Sequence, residues 1–263
     1  MKKSPPIITL AALIASSFSS GAAVIAWWPL DGDALDYSGN GHHGAVVGGT
    51  VNFGQTGANG STGFSASFPD NGHIDVPYAA ALNPGAQAPN GSGSFTVALW
   101  ANSSGNAGFN SPFTAREDNG STVNGPIIYN NAAGNWSYWA GNNGAPGAWN
   151  ALDGPAVPLN TWQHVAITYD SATQTRKMFI DGTEVLSANL GVSANVLRDI
   201  HIGSGQDDGL NFYWNGLIDD VIMFDEALDA AAINDVRLNS IPELGSFGLI
   251  GLAGLGLMLR RRR

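Results

Sequence analysis

Asp31, Asp33, Asp36 and Asn40 stand within ten residues of one another among glycines. Such a loop is dense in hard oxygen ligands, and calcium takes six to eight oxygens from carboxylates, amides, carbonyls and water. It is not an EF-hand, because the alternating ligands stop early and no glutamate stands at the twelfth position. The competing reading is a run of Asx-turns, in which the same side chains bond their own backbone. A second acidic feature, Asp219-Asp220, lies far along the chain. As neighbours on a strand they should point to opposite faces, so they are not expected to work as a pair.

Other chemistry is thinner. Glycan cleavage usually needs two carboxyl groups about 5 Å or about 6.5–9.5 Å apart, and alternate positions of one strand would supply them. No Glu-x-Asp or similar pair occurs, and between the two ends the only glutamates are Glu117, Glu184 and Glu226. A non-enzymatic role is therefore expected. His42, His43, His73, His164 and His201 are scattered, and His164 and His201 read as ordinary sheet positions rather than a metal cluster. The aromatics are more suggestive. Trp136, Tyr138, Trp139, Trp149, Tyr213 and Trp214 lie among Asn and Gly. Exposed rings beside amide side chains can stack on a sugar while the amides bond its hydroxyls. Trp136, Tyr138 and Trp149 are the candidate carbohydrate-binding residues, with packing on the second face of a sandwich as the alternative.

The elements that must position these residues are short, β-rich and punctuated by Gly, Asn, Asp and Pro. Strands are expected at Val24 to Leu30, around Phe64 to Phe68, Phe95 to Trp100, Trp136 to Trp139, Val165 to Tyr169, Ile200 to Ile202 and Leu217 to Phe224. Asp181-Gly182, between Met178–Ile180 and Thr183–Leu186, is a strong hairpin signal. Asn and Gly crowd the stretch from Asn102 to Leu159, which is expected to be irregular and to carry long loops. One helix is expected from Ala230 to Leu238, with Asp229 as N-cap and Leu228 and Ile233 as its staple. Many short strands with frequent turns make an all-β sandwich or barrel.

The two ends read differently from the middle. Lys2 and Lys3, the apolar run Ile7 to Phe18 and the small residues to Ala23 have the layout of a secretory signal, with cleavage after Ala23, Ala22 or Ala26. Residues 247–259 are apolar and are followed by Arg260, Arg261, Arg262 and Arg263, which the positive-inside rule keeps cytoplasmic. The full chain carries 11 basic and 21 acidic residues. Setting aside six basic residues and one acid in the ends leaves 5 against 20, a net charge of −15. So acidic a domain is unsuited to nucleic acid. It contains no cysteine, so disulfides and thiolate sites are excluded, and any bound metal is expected to be a hard cation.

Two resemblances sharpen this reading. Pro242-Glu243, the Gly-rich apolar segment and the terminal arginines resemble the PEP-CTERM sorting signal, although Leu244 stands where that pattern has a second proline. The resemblance implies an exosortase-type sorting enzyme as partner, transient anchoring in the inner membrane, and a final place in the envelope, surface or matrix of a Gram-negative-type bacterium. A plain membrane anchor is the alternative. In the middle, Trp28-Pro29-Leu30-Asp31-Gly32, Asp36 to Gly44, Trp162-Gln163-His164-Val165-Ala166, Phe179 to Gly182 and Gly216 to Phe224 resemble laminin-G-like, concanavalin A-like domains. That resemblance implies a two-sheet antiparallel jelly-roll sandwich over residues 24–239. It also implies a structural calcium between the first loop and the last strand, with Asp31, Asp36 and Asp220 as ligands and Asp33 and Asn40 as further candidates. The expected function is binding of carbohydrate or a surface partner. A glycoside hydrolase or lyase of the same fold, and a purely structural matrix component, are the alternatives.

Overall fold

The computed structural model describes residues 22–84, 93–105, 108–143, 148–205 and 212–240. Residues 1–21 of the expected signal and the expected sorting segment at 241–263, with Pro242, Glu243 and Arg260 to Arg263, lie outside them. Among the described residues no helix is long and apolar enough to cross a membrane.

In chain order the strands are β1 (Val24–Trp28), β2 (Ala45–Val47), β3 (Asn52–Thr56), β4 (Phe64–Phe68), β5 (His73–Val76) and β6 (Phe95–Ser103). Then come β7 (Asn110–Thr114), β8 (Glu117–Asp118), β9 (Val123–Asn124), β10 (Pro126–Asn130), β11 (Asn135–Ala140) and β12 (Asn150–Ala156). The last are β13 (Trp162–Asp170), β14 (Thr175–Ile180), β15 (Thr183–Asn189), β16 (Ile200–Ile202) and β17 (Gly216–Phe224), followed by helix α1 (Ala230–Asn239). The first sheet runs β15-β14-β13-β6-β17-β4-β3, with β1 also on β17, and the second runs β12-β11-β10-β7-β16-β5-β2. Every pairing within them is antiparallel. This is the all-β two-sheet sandwich that the family resemblance implied, where the strand pattern alone also allowed a barrel.

Alternation decides which side chains fill the space between the sheets. Val97, Leu99 and Ala101 of β6 and Val165, Ile167 and Tyr169 of β13 join Ile74, Val76, Ile200 and Ile202 of the opposite sheet in one buried cluster. On the other side of the first sheet, Ala98, Ala166, Phe179, Ile222 and Phe224 pack under Leu228, Ile233 and Val236. Helix α1 thus covers that face, and β6, β13 and β17 are apolar on both sides because both are buried. Its N-cap is Asp229, whose Oδ1 accepts from Ala232 N at 2.9 Å, as the capping signal predicts. Asp181 and Gly182 both take positive φ, 51° and 81°, which is the twisted two-residue hairpin that an Asp-Gly pair favours.

One expectation fails here. The stretch from Asn102 to Leu159 is not irregular: it supplies β7, β10, β11 and β12, more than half of the second sheet, and the small β8–β9 hairpin. Many of its Asn and Gly residues sit in the turns between short strands. Arg176, fully buried, ties the two sheets together there by donating from Nε to Leu190 O at 3.0 Å, from Nη1 to Asn150 O at 3.1 Å and from Nη2 to Gly191 O.

Candidate functional site

The carboxylates meet where the edge of β17 changes partner. Residues 216–218 of β17 pair with β4, and beyond a register break after Asp219 the strand pairs with β1 from Val221 onward. Asp220 sits in that break with φ 52°, a left-handed conformation that Asp tolerates better than most residues. The bulge breaks the strict alternation of the strand at this point, and the two side chains take separate partners. Both are buried. Asp219 Oδ2 accepts from Ala58 N at 2.8 Å, while its Oδ1 is buried with no hydrogen-bond partner among the described residues. Asp220 accepts from Trp27 Nε1 at 2.6 Å and from the Ser240 hydroxyl. Burial, with the Asp31 charge adding to it, pushes the Asp219 carboxyl up to about 7. Burial, the neighbouring Asp219 charge and that of Asp31 push Asp220 up to about 8.

The first loop splits into two roles. Asp31 Oδ1 accepts from Phe64 N at 2.5 Å, which holds it against the start of β4, where its charge reaches Asp219 and Asp220. Asp36 instead spends its oxygens on main-chain donors: Oδ1 takes Trp27 N at 3.0 Å and Ser38 N at 2.8 Å, and Oδ2 takes His42 N at 2.8 Å. Burial works against its charge, but these N–H groups outweigh it and hold the carboxyl below its usual range. Asp33 accepts from Leu35 N at 3.0 Å in an Asx-turn, and the Asn40 amide donates to Val24 O and Ile25 O. Of the five expected ligands, Asp31 and Asp220 feel one another's charge, as Asp219 does that of Asp31, but no three of these acids bring one oxygen each within 4.8 Å of the others. The donor set is all oxygen, which suits a hard ion such as calcium.

The aromatic expectation needs correction. Trp136 and Tyr138 are 1% and 0% exposed and belong to the core. On β11 they alternate with Ser137 and Trp139, and it is the odd positions that face outward. Trp136 stacks on the buried Trp214 at 6.0 Å and donates to Gln163 Oε1 at 2.7 Å, and Arg176 lies 5.6 Å from the Tyr138 ring centre. Neither ring can reach a sugar. Trp149 remains half-buried, with the Arg116 guanidinium 4.5 Å from its ring centre covering one face.

The outer face of the second sheet carries a different row of rings. Trp139 stands edge-on to Tyr129 at 5.5 Å and to Phe109 at 5.3 Å, and Phe212 meets both Phe109 and Tyr129. Phe212 leads into Tyr213, whose ring lies 5.8 Å from His73. Opposite Trp139 on β12 is Ala151, so Trp149 lies one outward position further along the same edge. The indole Nε1 atoms of Trp139 and Trp149 and Oδ1 of Asn110 are buried without a hydrogen-bond partner among the described residues. The row ends at three side chains that sequence spacing separates widely. His73, Asp75 and His201 meet on the outer face of β5 and β16, which corrects the expectation that the histidines stay apart. Only the register of two strands distant in sequence brings them together, so no local signal could have found them.

The molecule has clear structural relatives. Domain 4 of AbnA, a GH43 extracellular arabinanase from Geobacillus stearothermophilus, solved in complex with arabinotriose, is 22% identical with a TM-score of 0.60, over 82% of this chain and 98% of that one. A botulinum neurotoxin type C structure, whose cell entry depends on two ganglioside molecules, is 16% identical with a TM-score of 0.57. The match covers 81% of this chain but spans only 50% of the toxin chain. Trypanosoma rangeli sialidase, 12% identical with a TM-score of 0.56, matches over 82% of this chain and 32% of its own. At these identities the likeness speaks for the fold alone. No curated protein matches the chain. The Laminin_G_3 family model does, over residues 73–234, and β1, β3 and β4 before that stretch complete the same first sheet. With the sandwich and the family match in agreement, the chain belongs to the concanavalin A-like lectin/glucanases superfamily.

Proposed function

We propose that the domain binds polysaccharide along the outer face of its second sheet and does not cleave it. The observation that carries this is the pair Trp139 and Trp149: partly exposed indoles whose buried N–H groups have no partner among the described residues. An unmet N–H costs about 1–3 kcal/mol, which a sugar hydroxyl can recover while the rings stack on apolar sugar faces. The complex of the arabinanase domain with arabinotriose supports a sugar ligand for this fold. Two of the three glutamates between the ends support binding over cleavage. Glu117 accepts from Asn119 Nδ2 at 3.1 Å and Val196 N at 2.6 Å, and Glu184 pairs with Lys177 at 2.9 Å, so both serve the scaffold.

Affinity electrophoresis through gels containing soluble polysaccharides, arabinan among them, tests the reading. Trp139→Ala with Trp149→Ala should weaken retention at least tenfold, equivalent to about 1.4 kcal/mol, while the fold stays intact. Retention unchanged in that double variant would remove the proposal.

On the same reading the domain lies outside the inner membrane, Asp31, Asp219 and Asp220 close on a structural calcium when the ion binds, and the tail is recognised by an exosortase-type enzyme. The asymmetry of the ends supports export: Lys2 and Lys3 before one apolar run, four arginines after the other. Protein recovered from cells should begin near Val24, and deleting residues 241–263 should move it from the membrane fraction to the soluble one. Intact Lys2, or membrane association that survives the deletion, would count against export and anchoring respectively.

A further inference from the structure

His73 and Asp75 are alternate residues of β5, and Asp75 lies directly across from His201 of β16. Their neighbours on the two strands, Ile74, Val76, Ile200 and Ile202, are fully buried in the core, so alternation turns all three polar side chains to the outer face. Asp75 Oδ1 is 2.8 Å from His201 Nδ1 and 3.1 Å from His73 Nε2. One nitrogen from each ring and one carboxylate oxygen all lie within 4.8 Å of one another. The two imidazoles are stacked, 5.3 Å apart and 22° from parallel.

The hydrogen bonding shows what these atoms are set up to do. His73 Nδ1 is 3.1 Å from Asn71 O, and a carbonyl can only accept, so the ring proton sits on Nδ1. Nε2 is then the nitrogen that faces Asp75 Oδ1, 3.1 Å away, where a proton or a metal ion can bridge the two. A backbone carbonyl on one nitrogen of a histidine is the usual means of fixing the tautomer so that the other can ligate. Asp75 Oδ1 and His201 Nδ1 are both buried and lie 2.8 Å apart, so the one carboxylate oxygen sits between the two imidazoles. Two imidazole nitrogens and one carboxylate oxygen converging in this way can hold either shared protons or a common metal ion.

We infer that His73 Nε2, Asp75 Oδ1 and His201 Nδ1 form a site for a divalent transition metal of the zinc class. Two imidazole nitrogens and one carboxylate oxygen suit zinc and its neighbours and disfavour calcium, which prefers an all-oxygen shell. The site is therefore distinct in place and in chemistry from the carboxylates of the first loop and β17. Three protein ligands leave a coordination position for water or an outside ligand. That position lies at the Tyr213 end of the row of rings, where a bound molecule could touch both.

The test uses untagged, EDTA-treated full-length protein titrated with zinc against a chromophoric chelator, and with cobalt(II) followed by visible absorption. One equivalent of zinc should bind, and cobalt should give the intense absorption of a tetrahedral site containing nitrogen. His201→Ala and the near-isosteric Asp75→Asn should each weaken zinc at least a hundredfold and abolish the cobalt spectrum. His42→Ala with His43→Ala, which removes the other adjacent histidines, should change neither, and millimolar calcium should not displace the zinc. Circular dichroism shows whether each variant is folded, and Asp75→Asn keeps the test valid if His201→Ala is not. Absence of binding at micromolar zinc, or equal binding by the folded Asp75→Asn protein, would overturn the assignment and leave the cluster as a histidine–aspartate ion pair.

Discussion

Protein stripped of cations should lose stability as the pH is raised from about 6.5 to 8. An acid whose carboxyl is raised in the folded state stays protonated there while the unfolded chain, at 3.8, has already ionised. The unfolded state then binds fewer protons, and stability falls by about 1.4 kcal/mol per pH unit for each such group. Asp219 and Asp220 contribute this loss from about pH 4 until their folded values near 7 and 8 are passed. His164 acts the other way. Burial holds its imidazole down at about 3 against 6.5 unfolded, so it costs stability as the pH falls below 6.5. Between pH 4 and 6.5 His164 therefore offsets part of the carboxylate effect, and above 6.5 it no longer does. The steepest decline belongs between 6.5 and 7, where both carboxyls act unopposed, and the loss from 6.5 to 8 amounts to a few kcal/mol, a large share of the roughly 5–15 kcal/mol that holds a domain folded.

Calcium should reverse that decline. A cation that binds only the folded, ionised site adds about 2.7 kcal/mol at a hundredfold excess over its dissociation constant. Urea unfolding at pH 5, 6.5 and 8, with EDTA and with millimolar calcium, reads both effects. Asp220→Asn should leave only the smaller part of the EDTA decline that Asp219 contributes and should remove the calcium response. A flat profile for the wild type would show that these carboxyls are not raised. A falling profile that calcium does not restore would mean the acids carry protons at this junction, and the calcium proposal would go.

Much of the fold was legible because local signals and global topology agree. The Asp181-Gly182 turn, the Asp229 cap and the period-two pattern of β13 each state locally what the sandwich requires. The site was less legible, for two physical reasons. A strand shows that successive side chains face opposite ways but not which way is in. Trp136 and Tyr138 are thus expected at the surface, whereas the outward ring is Trp139, one position on. A bulge cancels even the alternation, and nothing local marks it: Asp220 takes a left-handed φ in sequence that reads as continuous strand. His73 and His201 are harder still, since 128 positions separate residues that only the β5–β16 register joins.

Replacing Trp136 by Ala should cost about 3–5 kcal/mol, the range for deleting a large aromatic side chain from a packed core. Three contributions converge on that figure. The ring is 1% exposed, so its removal opens a cavity where β11 meets the opposite sheet. Its stacking on Trp214 at 6.0 Å is lost, a contact worth about 0.5–1.5 kcal/mol beyond the buried area. Gln163 Oε1 also loses the indole N–H that it accepts at 2.7 Å. Tyr138 offers the opposite case two residues on. Its hydroxyl is buried with no hydrogen-bond partner among the described residues, so Tyr138→Phe removes an unmet polar group and should leave stability unchanged or raise it by up to about 1 kcal/mol. Trp139→Ala, at a half-buried outward position, should cost clearly less than Trp136→Ala. Urea denaturation of the three variants measures all of this on one scale. A cost below about 1 kcal/mol for Trp136→Ala, in the range of ordinary surface changes, would show that the ring is not part of the core and would return it to the candidates for stacking on sugar.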